Sequence, residues 1–318
     1  MNNKFKLCSR VVIFIIAIFF ILKYTSMIFI PKNNIEGAGM EDVSANGILT
    51  ESENSIDVLI LGDSEAYASF SPMAMYNKYG FTSYNCGTVL QQLSYSEKLL
   101  KRTLESQSPK VVMIETNTIF RSVMANDIIG DKLSNVFPIL KYHNRWKSLH
   151  VTDFTNDINY SYDNAMKGFE YRKEVREASN ESEYMAPTTE VQKIPDLNKI
   201  ILNRIIDICK ENNIELILVS TPSTVNWNTK KHNAVDQFAS EHDITYLDLN
   251  MPGDCESIDW TKETRDCGDH LNFKGAMKVT RFIGNYLSNN YSLPDHRDDA
   301  NYEKWNEDLA KYKDIVSK

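Results

Sequence analysis

This sequence lacks a basic excess, a disulfide framework, an internal repeat and any metal-ligand spacing. The formal charge is −8, and no basic stripe offsets it, which argues against a nucleic-acid partner. Five cysteines do not make a disulfide scaffold. Cys8 precedes the first apolar run, and Cys86 and Cys209 sit in or beside apolar stretches, as core thiols do. Cys255 and Cys267 flank one late loop, where a bridge can form. No His/Cys/Asp cluster has ligand spacing, so neither a metal nor another cofactor is expected. The absence of a repeat argues against a stacked array.

What is present is enough apolar residue to fill one large core or two small ones: 42% hydrophobic in 318 residues, with 25% charged. Val11 to Leu22 is an unbroken apolar run, interrupted by Lys23-Tyr24-Thr25-Ser26 and resumed at Met27 to Ile30. The whole is about long enough to cross a bilayer core, with Lys23 snorkelling toward the far interface. Lys4, Lys6 and Arg10 precede it without an acidic residue, so the tail is expected in the cytoplasm and the rest outside. The competing reading is a cleaved signal at Val43-Ser44-Ala45, which lies far beyond the run. The expected division is a cytoplasmic tail (1–10), an anchor (11–31), a polar linker without period (32–55), a folded domain (56–290) and a C-terminal helix (291–318).

Ile56 to Ile60 reads as a buried parallel strand. Further strands are expected at 81–86, 111–115, 214–220 and 244–248. Between them, helical spacing marks 91–106, 197–212, 233–241 and 273–288, and Ser71-Pro72 fits a helix cap and first position. Strands alternating with helices predict a three-layer α/β/α sandwich on a flavodoxin-like parallel sheet of about five strands. The pattern breaks over 121–195, too long for an ordinary connection. That insertion reads either as a solvated segment with a few rings on the core, or as a lid whose Phe154, Tyr160, Tyr162, Phe169 and Tyr171 stack on sugars.

The first strand ends in Leu61-Gly62-Asp63-Ser64-Glu65, a sharp turn that places Ser64 where α/β sheets put their ligands. A serine nucleophile needs a base, and the base needs a carboxylate to orient it. Asp266-Cys267-Gly268-Asp269-His270-Leu271-Asn272 offers both. Asp266 and Asp269 are the candidate acids, Asp266 favoured because adjacent side chains diverge in extended chain, and Asp259 is a third. Together the two stretches make the chain resemble the SGNH (GDSL-type) hydrolase superfamily, over roughly 56–287. In that family an aspartate stands three positions before the histidine, a place held here by Cys267. The resemblance implies oxyanion donors at the Ser64 N–H, at Gly87 in Asn85-Cys86-Gly87, and at Asn117 in Glu115-Thr116-Asn117. That last block lacks the family's usual glycine.

A single anchor with an exported domain is most similar to the members that modify cell-surface polymers, such as the D-alanyl-lipoteichoic acid transfer and alginate acetylation proteins. The implied function is acyl transfer or ester hydrolysis on an extracytoplasmic glycan through an acyl-enzyme on Ser64. The implied partners are a membrane-bound O-acyltransferase and a polysaccharide or teichoic-acid-like polymer. The alternatives are a plain carboxylesterase and a non-catalytic polymer-binding partner.

Overall fold

The computed structural model describes residues 3–179, 183–253 and 255–318; residues 1–2 of the expected tail and 180–182 of the insertion lie outside them. The chain divides into two compact units, residues 1–43 with 124–162, and residues 44–123 with 163–318.

The larger unit is built on five parallel strands in the order β2-β1-β3-β4-β5: β1 Val58–Leu61, β2 Ser83–Asn85, β3 Val111–Glu115, β4 Glu215–Ser220 and β5 Thr245–Asp248. Helices cover both faces, as the three-layer reading expects. Alternate residues of a strand face opposite sides. Val58, Ile60, Val111, Met113, Ile217 and Val219 accordingly share one core with Val279, Ile283 and Leu287 of α9 (Phe273–Asn290). Each such side chain, fully buried, contributes about 1.5–3 kcal/mol. α2 (Ser64–Ser69) and α3 (Pro72–Tyr79) pack against α9, and α4 (Leu93–Thr103) packs against α7 (Asp196–Glu211). α8 (Thr229–His242) precedes β5, and α10 (Glu303–Ser317) closes the chain.

Caps set several of these starts. The Ser71 hydroxyl accepts from Ala74 N ahead of Pro72, and the Asn272 side chain accepts from Lys274 N and Gly275 N. β1 is the strand whose neighbours diverge in sequence direction, β2 on one side and β3 on the other. The crevice at its carboxyl end is therefore the topological switch point.

The polar stretch 32–55 differs from its expected form. Its second half packs into the α/β unit, with Ala45, Ile48 and Asn46 buried and Asn46 Oδ1 accepting from Arg102 at 2.7 Å. A few apolar residues without periodicity suffice for that, and composition does not reveal them.

In the smaller unit, α1 (Asn3–Phe29) is long and apolar enough to cross a membrane. The first part of the insertion folds there as α5 (Ala125–Val136), α6 (Ile139–Tyr142) and two short 3-10 turns. The remainder, from Asp163 onward, belongs to the α/β unit.

Candidate active site

Ser64 is the first residue of α2, capped by Asp63, whose Oδ1 accepts from Glu65 N at 3.0 Å. The strand-to-helix turn passes through Gly62 at φ +156°, where a Cβ would stand 2.6 Å from Glu115 Cβ and 2.8 Å from Ala66 Cβ. Only glycine lets β1 turn this close to the end of β3. The turn leaves Ser64 at the N-terminus of a helix, where backbone N–H groups lack intrahelical acceptors.

His270 reaches this serine from the loop before α9, with Nε2 at 2.8 Å from Ser64 Oγ. Its Nδ1 lies 2.7 Å from Asp266 Oδ2, and its backbone N donates to Asp266 Oδ1 at 2.6 Å. Burial disfavours the Asp266 anion, yet the two bonds from His270 outweigh it and hold the carboxyl below its ordinary value. An ionised Asp266 can only accept, so Nδ1 carries the proton and Nε2 is the free base facing the serine. Burial likewise disfavours imidazolium, but the Asp266 bond and the neighbouring carboxyls outweigh it, and the His270 pKa lies above its ordinary value.

The acid stands four positions before the base, not three. Cys267 and Gly268 both adopt the left-handed region, at φ +64° and +94°, and this double kink folds Asp266 back onto the ring. Cys267, at the position where the resemblance expects the acid, is exposed. Cys267 and Cys255 are both free thiols. Asp269 stands 3.7 Å from Nδ1 and is held instead by Asn226 Nδ2. Asp259 bonds Thr261 and Lys262.

The loop is braced by a strap, residues 167–178, that the sequence leaves without pattern. Cys267 N donates to Arg176 O, Arg176 N to Thr264 O, and Phe273 N to Arg172 O. Arg265 Nη1 bonds Glu170 Oε2 at 2.7 Å. Two of the insertion's rings are fixed here: Phe169 is buried, and Tyr171 meets Phe273 edge-on at 4.8 Å.

Beneath the serine lies a group of buried acids that the sequence does not flag. Burial pushes the Glu65 carboxyl up to about 8. Its Oε1 accepts from Asn226 Nδ2 at 2.6 Å, while Oε2 is buried without a partner. Burial, with the charges of Asp63 and Glu65, raises Glu115 well above the carboxylate range. Asp63 pairs with Arg121 at 2.6 Å and accepts from Asn117 Nδ2 at 2.9 Å. Lys231 Nζ donates to Asn117 Oδ1 at 3.0 Å and lies over the Phe120 ring. Burial lowers its pKa. These contacts fix the Asn117 amide with Nδ2 toward the Asp63 side, keeping one further N–H to donate. The Gly87 N–H is committed to Asn85 Oδ1 at 3.0 Å, so it meets an oxyanion only by leaving that acceptor. Glu65, Asp269 and His270 also place potential ligand atoms within 4.8 Å of one another. A cation there would compete for the histidine lone pair that serves Ser64.

No protein-family model matches the sequence, and no curated protein does. Among solved structures, the chain is similar to GDSL-like lipases and acylhydrolases. One is a GDSL-like lipase from Bacteroides thetaiotaomicron, at 11% identity and TM-score 0.42, covering 78% of this chain and 100% of that one. Another is a lipase/acylhydrolase from Enterococcus faecalis, at 12% identity and TM-score 0.35, covering 76% and 98%. A third is a catalytic mutant of an acetylxylan esterase from Geobacillus stearothermophilus, at 12% and 0.34, covering 76% and 96%.

Proposed function

We propose that this chain is a membrane-tethered serine acyltransferase or esterase, with Ser64, His270 and Asp266 as its catalytic residues. The observation that carries the reading is a single imidazole bonded at 2.8 Å to Ser64 Oγ and at 2.7 Å to Asp266. In this scheme Ser64 Oγ attacks the carbonyl of an ester or thioester donor while His270 Nε2 takes its proton. The tetrahedral oxyanion is met by the Ser64 N–H and the Asn117 amide. His270 then protonates the leaving group, and an acyl-enzyme remains on Ser64. An acceptor hydroxyl, deprotonated by the same nitrogen, removes the acyl group and regenerates the serine.

The acceptor is a sugar hydroxyl of an extracytoplasmic polymer in the reading favoured here, and water in the esterase reading. The anchor and its basic flank support export of the α/β unit with the N-terminus in the cytoplasm. The polymer and a membrane-bound O-acyltransferase that would hand over the acyl group enter through the family resemblance alone.

Labelling with a fluorophosphonate probe tests the chemistry. The wild type should label on Ser64, Ser64→Ala should not label, and His270→Ala should label orders of magnitude more slowly. An unlabelled but folded wild type leaves only the binding-partner reading standing.

A further inference from the structure

We infer that the end of α5 and the turn after it (136–145) form a re-entrant element that lies in the outer leaflet of the bilayer against α1. The inference rests on the reading of α1 as a membrane anchor and adds a second lipid-contacting element to it. Its evidence is a ladder of contacts within the smaller unit. Lys23 Nζ donates to Val136 O at 3.0 Å, and Phe137 meets Phe19 edge-on at 5.7 Å. Ile139 N donates to Ser26 Oγ at 3.2 Å, and Arg145 Nη1 to Phe29 O at 2.6 Å. The chain thus climbs α1 from the level of Phe19 to that of Phe29, about 15 Å at about 1.5 Å per residue.

A span beginning after Arg10 and crossing about 30 Å of hydrocarbon ends near residue 30. Phe19 and Lys23 then lie inside it, and so do Val136 and Phe137. Such a position explains Lys23, the one charge that breaks the apolar run. Its ammonium takes a last-turn carbonyl of α5 and sits over the Phe137 ring at 5.6 Å, so its interior position is compensated. The same bond satisfies a helix-end carbonyl that lipid could not.

The face that α5 turns away fits this placement. Ile129, Leu133 and Val136, at i, i+4 and i+7, are all exposed along one stripe with Lys132 at its edge, whereas the exposed Asn135 stands on the other side of the helix. Trp146, exposed with Lys147 over its ring at 5.3 Å, follows directly after the contact with Phe29 at the end of α1, as aromatic and basic residues do at a membrane interface. Exposed apolar positions on α5, next to the exposed apolar residues Phe19, Phe20 and Ile21 of α1, favour acyl chain as the occupant.

The test uses the full chain in liposomes, with Cys8, Cys255 and Cys267 replaced by serine and a nitroxide label placed singly at Leu133→Cys, Asn135→Cys or Phe14→Cys. Collision with oxygen reports lipid, and collision with an aqueous nickel chelate reports water. At Leu133 the oxygen-to-nickel ratio should exceed that at Asn135 several-fold and approach that at Phe14. An aqueous Leu133 beside a lipid-exposed Phe14 overturns the inference and spares the anchor; aqueous values at both overturn the two together. Shielding of Leu133 from both reagents would show a second copy of this chain on that face, and would also overturn it.

Discussion

The two aspartates near His270 do different work, and conservative substitutions separate them. Asp266→Asn keeps shape but deletes the charge that fixes the Nδ1 proton, so labelling should fall on the order of 10⁴-fold. Asp269→Asn should cost far less, because Asp269 meets Asn226 and stands 3.7 Å from the ring. It does not cap α9 either, since Asn272 holds that position. The acid limb of the labelling-rate profile should lie above pH 6.5, because the folded state raises the His270 pKa and the base acts only when neutral. In Asp266→Asn that limb should move to lower pH. Glu65 gives the opposite kind of test, on stability. Burial raises its carboxyl to about 8 in the folded state, from the ordinary 4.5. Its favourable contribution is therefore present below about pH 4.5 and is lost as pH rises through 8. Glu65→Gln should gain on wild type over that window, by on the order of 3 kcal/mol at pH 7, and match it near pH 4. Thermal melts of both proteins across pH would read this; a constant offset would show that Glu65 ionises freely.

At the level of elements, the active loop depends on its kink and its strap. Gly268 sits at φ +94°, and a Cβ there would collide with Thr224. Gly268→Ala should move Asp266 or His270 by a fraction of an ångström or more and lower labelling by about tenfold or more, with far-UV circular dichroism unchanged. The elements legible in the sequence were those with a repeating signal. β1, β3 and β4 are apolar runs buried on both faces, α7 and α9 carry a 3.6-residue stripe, and Ser71-Pro72 announces α3. Ser64 and His270 were legible because turn and loop chemistry mark the ends of such elements. Asp266 could only be weighed against Asp269, because the choice depends on two consecutive left-handed residues, one of them a cysteine. The strap was illegible for a similar reason. Its backbone bonds run to a loop and not to a strand, so its side chains carry no period.

For the whole molecule, the division into two units predicts how much of the insertion the chemistry requires. Replacing 125–160 by a short Gly/Ser bridge should leave Ser64 labelling intact, since that stretch belongs to the anchor-bearing unit. Deleting 167–178 should abolish both labelling and a cooperative melt, because it removes Lys167 and the strap together. If the first deletion also prevents folding, the smaller unit is a required scaffold for the larger.

Lys167 is fully buried, with Nζ bonded to Glu51 at 2.7 Å and to Asp308 at 2.8 Å, over the Trp305 ring at 4.7 Å. An ammonium stripped of water without both acids would cost about 3–5 kcal/mol. One acid leaves the ribosome 116 residues before the lysine and the other 141 residues after it. At about 5–20 residues per second the lysine waits on the order of ten seconds for its second partner. Without α10 the Lys167 ammonium keeps only Glu51 as its acid partner, and the strap that begins at Lys167 loses one of its two anchors. A chain stopped after Asn301 should accordingly carry Ser64, Asp266 and His270 and still refuse the probe.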